Sequence, residues 1–198
     1  AVQVLLSRYA NQRDVVVGTV TSGRRRAELE NLVGFFVNTV VLRSMVDGTQ
    51  TFEEFLADVR ETVLDAFAHD EVPFDRLVED LQPERDASRT PLVQALVVLQ
   101  SEMVRPRQSG GLWITEHDLP RPSARFDLVV EFLPRGASLN LAIEYNTERL
   151  DPGTGARMAG HLPLLRIRLA RDPAWPRAAL SVRADADGVV EVSRAGHT

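Results

Sequence analysis

Between residues 126 and 145 apolar and polar side chains alternate with a period of two. In FDLVVEF, Phe126, Leu128, Val130 and Phe132 share one face; in LNLAIEY, Leu139, Leu141, Ile143 and Tyr145 do. Successive side chains of a strand point to opposite faces, so the pattern predicts two half-buried strands, and PRGAS between them makes the turn of an antiparallel hairpin. A helical period governs an earlier stretch, where Phe52, Phe55, Leu56, Val59, Val63, Ala66 and Phe67 recur along one face and Thr51 with Glu54 fits a capping box. Pro73 opens a second helix with Phe74, Leu77, Val78 and Leu81 on one stripe.

Other segments have weaker signatures. The N-terminal stretch starts abruptly in apolar sequence, like the middle of a longer chain, and reaches a strand over 15–20, bounded by Asp14 and the turn Ser22-Gly23. VQALVVLQ, residues 93–100, is continuous enough for a strand buried on both faces. RPRQSGG reads as a linker before LWITEHDL. From Asp151 and Pro152 a helix runs to about Arg171, weakened or kinked by Gly153, Gly155, Gly160 and Pro163. Residues 173–198, rich in Pro, Ala and Asp, read as a poorly ordered tail or linker.

The run GFFVNTVVLR, residues 34–43, sets an amide within an apolar strand. Alternation places Asn38 on the face of Phe36, Val40 and Leu42. A buried amide without partners costs about 1–3 kcal/mol, so Asn38 needs either protein hydrogen bonds or a wet or ligand-filled space beside it. Those are two readings with opposite consequences: an internally bonded amide at a strand bend, or the wall of a substrate channel.

Composition narrows the chemistry. At 198 residues, 44% of them hydrophobic and 26% charged, the chain suits one sizeable core. A net charge of −5, with Arg24, Arg25 and Arg26 as the one basic run, argues against a nucleic-acid or anionic-membrane footprint. Without cysteine there are no disulfides, thiolate metal sites or Cys nucleophiles. His69, His117, His161 and His197 are scattered, with no pair at metal-ligand spacing, so no metal site is expected. Neither His117 nor His161 has the neighbours of a catalytic triad, and both read as structural or surface groups. No signal-peptide pattern or bilayer-length apolar run is visible, which makes the cytoplasm the default compartment.

Four segments, in this order, resemble the second half of a nonribosomal peptide synthetase condensation domain. DVVVGTVTSGR is similar to that family's strand and turn ending in Gly-Arg, and LVGFFVNTVVLR to its Gly-x-Phe-Val-Asn-Thr strand with a closing Arg. AHDEVPFDRLVEDL resembles the acidic Pro-Phe helix start, and RDASRTPLVQALVVLQ the Arg-Asp-x-Ser-Arg-x-Pro-Leu loop leading into a strand. FDLVVEF with LAIEYNTERLD fits the closing hairpin, and the likeness covers roughly residues 14–170.

The resemblance implies an α/β fold: a mixed, largely antiparallel sheet with packed helices, one lobe of a chloramphenicol acetyltransferase-like pair with a tunnel between the lobes. Residues 1–172 are then the C-terminal lobe, without the N-terminal lobe that holds the His-His-x-x-x-Asp-Gly motif; no adjacent His pair occurs here. The chain alone is expected to be inactive, and no catalytic residue is assigned to it. Its implied role is half of an enzyme forming amide bonds between carrier-bound thioesters. The alternatives are an ester-forming relative or a non-catalytic lobe that binds carrier proteins; an epimerisation domain fits GFFVNT less well. Ser22, Gly23, Asn38 and Thr39 are implied at the tunnel, and Arg24 and Arg25 at the carrier protein or its phosphopantetheine, a group carried by the partner. For Gly23 a plain turn remains the other reading, and for the arginines a solvated surface. Arg85, Asp86 and Arg89 read as an ion-pair network pinning the loop before strand 93–100. Partners would be the N-terminal lobe and carrier proteins.

Overall fold

The computed structural model describes residues 1–84, 86, 88–100, 107–115, 123–135, 138–174, 180–184 and 190–194. In chain order these form α1 (Val2–Ala10), β1 (Asp14–Thr21), α2 (Ala27–Glu30), β2 (Asn38–Met45), α3 (Phe52–Ala68), α4 (Phe74–Leu81) and β3 (Ala95–Leu99). Then follow β4 (Arg107–Ser109), β5 (Leu112–Ile114), β6 (Leu128–Arg135), β7 (Ser138–Tyr145), α5 (Pro152–Arg171), β8 (Leu180–Ala184) and β9 (Val190–Arg194).

One five-stranded sheet, in the order β2-β1-β3-β6-β7, organises the fold. Full-length antiparallel ladders flank it on both sides: β1 against β2, from Asp14↔Met45 to Thr21↔Asn38, and β6 against β7, from Leu128↔Tyr145 to Arg135↔Ser138. Its middle is parallel, with Gly18 opposite Leu96 and β3 running beside β6 from Ala95↔Leu128 to Leu99↔Phe132. Parallel neighbours need long crossovers, which α3 and α4 supply between β1 and β3. Most of the alternation in the closing hairpin holds, since Leu128, Val130, Phe132, Leu141, Ile143 and Tyr145 join the main core, but Phe126, ahead of β6, packs in the cluster on the other face and Leu139 is 38% exposed.

That core lies between one sheet face and the helices. Val15, Val17, Ala95 and Val130 meet Phe55 of α3 and Met158, Leu162, Leu165 and Leu169 of α5. A smaller cluster of Leu96, Val98 and Val129, with Val20 and Phe126, forms on the opposite face. Helix α1, which the sequence pattern left unassigned, buries Val4 and Leu5 in the main core, and Gln3 Nε2 donates a buried hydrogen bond to Ser44 Oγ at 3.0 Å. Helix α5 is continuous from Pro152 to Arg171, with Pro163 inside it and Asp151 capping its start through the Thr154 N–H. Gly155 is there for closeness: a Cβ would strike the Tyr145 ring.

Two further stretches differ from the sequence expectation. Part of the linker-like RPRQSGG is the first strand of a hairpin, β4 pairing β5 from Arg107↔Ile114 to Ser109↔Leu112. Gly110 (φ 55°) and Gly111 (φ 81°) supply the left-handed pair that a two-residue hairpin turn needs. Within the segment read as tail or linker, β8 and β9 pair antiparallel beside α5, and the Pro173 carbonyl accepts the Glu53 N–H at 2.9 Å, joining the end of α5 to the start of α3.

Candidate functional site

Three chain segments meet at the end of the β1/β2 ladder. After Thr21 the chain turns at Ser22-Gly23, and Gly23 sits at φ 61° so close to the Phe36 backbone that any Cβ would collide with the Phe36 carbonyl oxygen. Only glycine meets both conditions at low cost. The Arg24 guanidinium bonds the Leu29 carbonyl, reaches Gly34 O at 3.4 Å and lies 4.2 Å from the centre of the Phe36 ring. Arg25 Nη2 is 2.6 Å from Asp70 Oδ1, and Asp70 is only 7% exposed.

Asn38 closes the arrangement. Strand β2 begins at this residue rather than at Gly34, because the ladder with β1 ends at Thr21↔Asn38 and residues 34–37 have no partner strand. Phe35 is consequently 90% exposed, and Phe36 packs with Arg24 instead of sharing a strand face with Asn38. Asn38 Nδ2 donates to the carbonyls of Asp70 (2.8 Å) and Val72 (2.7 Å), while Oδ1 accepts from Phe74 N (3.1 Å). The amide therefore braces the α3–α4 turn. It also borders a cleft of ≈ 510 Å³ whose other walls include Gly23, Arg26, Phe35, Glu71 and Pro73.

The remaining residues singled out from sequence fall elsewhere. Thr39 lies opposite Val20, on the face of β2 away from Asn38, with its methyl group close to Gly18. Ser22 Oγ accepts a long bond from Arg24 N at 3.4 Å. The loop before β3 is pinned by Asp86, whose Oδ1 accepts from Ser88 N (2.9 Å) and Ser88 Oγ (2.6 Å) and whose Oδ2 lies 3.6 Å from Arg89. The Ser88 hydrogen bonds, with smaller help from the charges of Arg89 and Arg149, hold the Asp86 carboxyl below its usual range. Arg149 Nη2 donates to Ser88 Oγ at 2.5 Å, so the chain after β7 joins the same network. This loop and α4 border a larger cleft of ≈ 1360 Å³. Arg85 and His117 lie outside the described residues.

His161 is buried on α5, with Nδ1 hydrogen-bonded to Tyr9 Oη at 2.7 Å. Burial pushes its imidazole below the ordinary histidine range, and the Arg157 charge adds to the shift. The imidazole of His69, the residue after α3, hydrogen-bonds the Asp65 carbonyl through Nδ1 at 2.9 Å. No group of three or more metal-ligating side chains occurs among the described residues, and no described helix is long and apolar enough to cross a membrane. The pairing of Arg25 with the buried Asp70 and the partners of Asn38 had no sequence signal, since both join segments that only the fold brings together.

Among the described residues, a mixed sheet layered with helices ends in a cleft braced by Asn38 and by the Arg25–Asp70 contact. The condensation-domain family model matches residues 1–187, and the chain belongs to that family. A linear gramicidin synthase polypeptide from Brevibacillus parabrevis is 38% identical over 187 residues, which are 93% of this chain and 2% of that protein. Among solved structures, a four-domain nonribosomal peptide synthetase bound to AMP and glycine superposes with a TM-score of 0.82 at 24% identity, over 93% of this chain and 15% of that one. The X-domain from teicoplanin biosynthesis, solved in complex with OxyB, gives a TM-score of 0.77 at 25% identity over 89% of this chain and 39% of that one. The chain thus spans a small fraction of the curated synthetase and about two-fifths of the solved X-domain.

Proposed function

We propose that this chain is the C-terminal lobe of a condensation domain that joins a carrier-bound acyl or peptidyl thioester to a carrier-bound aminoacyl amine, with residues 1–172 as its body and 173–198, which carries the β8–β9 ribbon beside α5, leading out of it. The family match over residues 1–187 carries this reading. In the reaction the amine nitrogen attacks the thioester carbonyl, a C–N bond forms, the C–S bond breaks, and the amine's proton passes to the departing thiolate. A general base or hydrogen-bond donor for that step belongs to the N-terminal lobe, since this chain has no adjacent His pair. Its own contribution is placement of the reacting ends, which in a well-oriented site supplies a large share of the barrier reduction.

Within this reading Gly23 and Asn38 line the tunnel side of the lobe, Ser22 belongs to the turn beside them, Thr39 faces away on the other side of β2, and the cleft beside Asn38 admits the phosphopantetheine arm as substrate. Arg24 and Arg25 stand beside that route. Arg25 lines the cleft while Arg24 bonds the Leu29 and Gly34 carbonyls beside it, so their guanidinium groups hold the wall in place rather than stand as free phosphate ligands. Carrier proteins and the N-terminal lobe are the partners, and the cytoplasm is the compartment.

The test is peptide formation from loaded donor and acceptor carriers. The complete two-lobed domain should form the amide and the isolated chain should not; turnover by the isolated chain overturns the reading. A second reading, a non-catalytic interaction module, draws on the likeness to the teicoplanin X-domain. It requires that the complete domain bind a partner protein without forming amide or ester. If the product is an ester instead of an amide, the chain belongs to an ester-forming relative.

A further inference from the structure

We propose that Arg25 and Asp70 are positioning residues, whose ion pair ties the turn at residues 22–26 to the α3–α4 turn and so fixes the shape of the cleft beside Asn38. This rests on the condensation reading above. Each wall of that cleft is held separately. Gly23 is pressed against the Phe36 carbonyl, and Asn38 holds the turn through Asp70, Val72 and Phe74. The Arg25–Asp70 contact at 2.6 Å joins the two.

The burial of the pair is one-sided. Asp70 is 7% exposed while the Arg25 side chain is 44% exposed, so the carboxylate is the group taken out of water and the arginine reaches in to meet it. An ion pair of this kind adds little net stability over an uncharged pair of similar size, but removing one partner strands a buried charge. What it does supply is direction: a charge-assisted bond fixes one turn relative to the other. The same turn gives its Asp70 carbonyl to Asn38, so any shift of Asp70 moves the Asn38 side of the cleft as well.

The experiment uses the complete two-lobed domain with loaded carriers and compares Arg25→Met/Asp70→Asn, which removes both charges, with Arg25→Lys, which keeps the charge but not the planar fork. The expected result is a double variant with the wild-type urea midpoint, an acceptor KM within about twofold of wild type, and a single-turnover rate at saturating acceptor lower by about tenfold or more. Arg25→Lys should recover part of that rate. A double variant with normal midpoint and normal rate shows a pair without positioning function and overturns the proposal. If the double variant fails to fold, Arg25→Lys decides: a folded protein with wild-type rate and with its KM unchanged overturns it. Absence of any amide from the wild-type domain overturns the condensation reading itself, a result distinct from both.

Discussion

Asn38 Oδ1 accepts the hydrogen bond of Phe74 N at 3.1 Å, so the first residue of β2 caps the first residue of α4. Pro73, just before that helix, has no side-chain cap of its own, and an N-terminal helix turn needs partners for its free N–H groups. Together with the carbonyls of Asp70 and Val72, one amide satisfies three backbone groups.

Asn38→Val should therefore destabilise the protein by about 1–3 kcal/mol, because the valine removes every partner while the Phe74, Asp70 and Val72 groups remain. Urea unfolding measures it. Of the two readings open at the sequence level, hydrogen bonds within the protein account for the amide's presence. An unchanged midpoint would mean that the three bonds contribute nothing to folding.

Gly23→Ala should lower the free energy of unfolding in urea by more than about 1 kcal/mol, since alanine is strained at φ 61° and its methyl group meets the Phe36 carbonyl oxygen. Gly110→Ala is the control, at φ 55° with nothing near the added methyl group. If both cost the same, the clash with Phe36 is relieved elsewhere and only backbone strain remains.

His161 gives a pH dependence with a definite sign. Its folded pKa lies below the ordinary value of 6.5, through burial first and the Arg157 charge second, so the unfolded chain binds the proton more readily. Stability is fully present above pH 6.5 and falls as the pH drops from there through the folded pKa. Tyr9 faces His161 from α1, but burial raises its phenol above the usual range, so it stays protonated throughout this window. The midpoint of wild type should fall between pH 7 and pH 5, and the fall should be smaller in His161→Gln. Parallel curves would assign the loss to other groups.

Local periodicity explains what the sequence revealed. Thr51 and Glu54 lie three positions apart and close their capping box reciprocally, at 3.3 Å and 2.8 Å, whatever the rest of the chain does. The faces of β6 and β7 likewise follow from alternation. Helix α1 escaped because its N-cap is Ala1, which makes no side-chain cap bond, and the β4–β5 hairpin because its three-residue strands are too short for a period. Asn38 was legible as an anomaly but not as a brace. Its partners sit in a turn whose position depends on α3 packing against β2, and no spacing in the sequence encodes that distance. The pairing of Arg25 with Asp70 was hidden for the same reason.

Trp113 is 71% exposed and Leu112 70%, both in β5 of a hairpin standing apart from the main sheet, and the loop before β2 adds Val33 and Phe35. A two-stranded ribbon of this length is marginal alone, and its unpaired edges and apolar side chains favour association with another surface. The isolated chain should therefore self-associate at micromolar concentration, seen as a mass by light scattering that rises with concentration and as binding of an apolar dye. Leu112→Ser/Trp113→Ser should reduce both signals, while the urea midpoint stays close to wild type because neither side chain is buried in the core. In the complete two-lobed domain, the same pair of substitutions should matter less if the second lobe covers the hairpin. A monodisperse monomer with negligible dye binding would show that these side chains are tolerated singly and form no sticky surface.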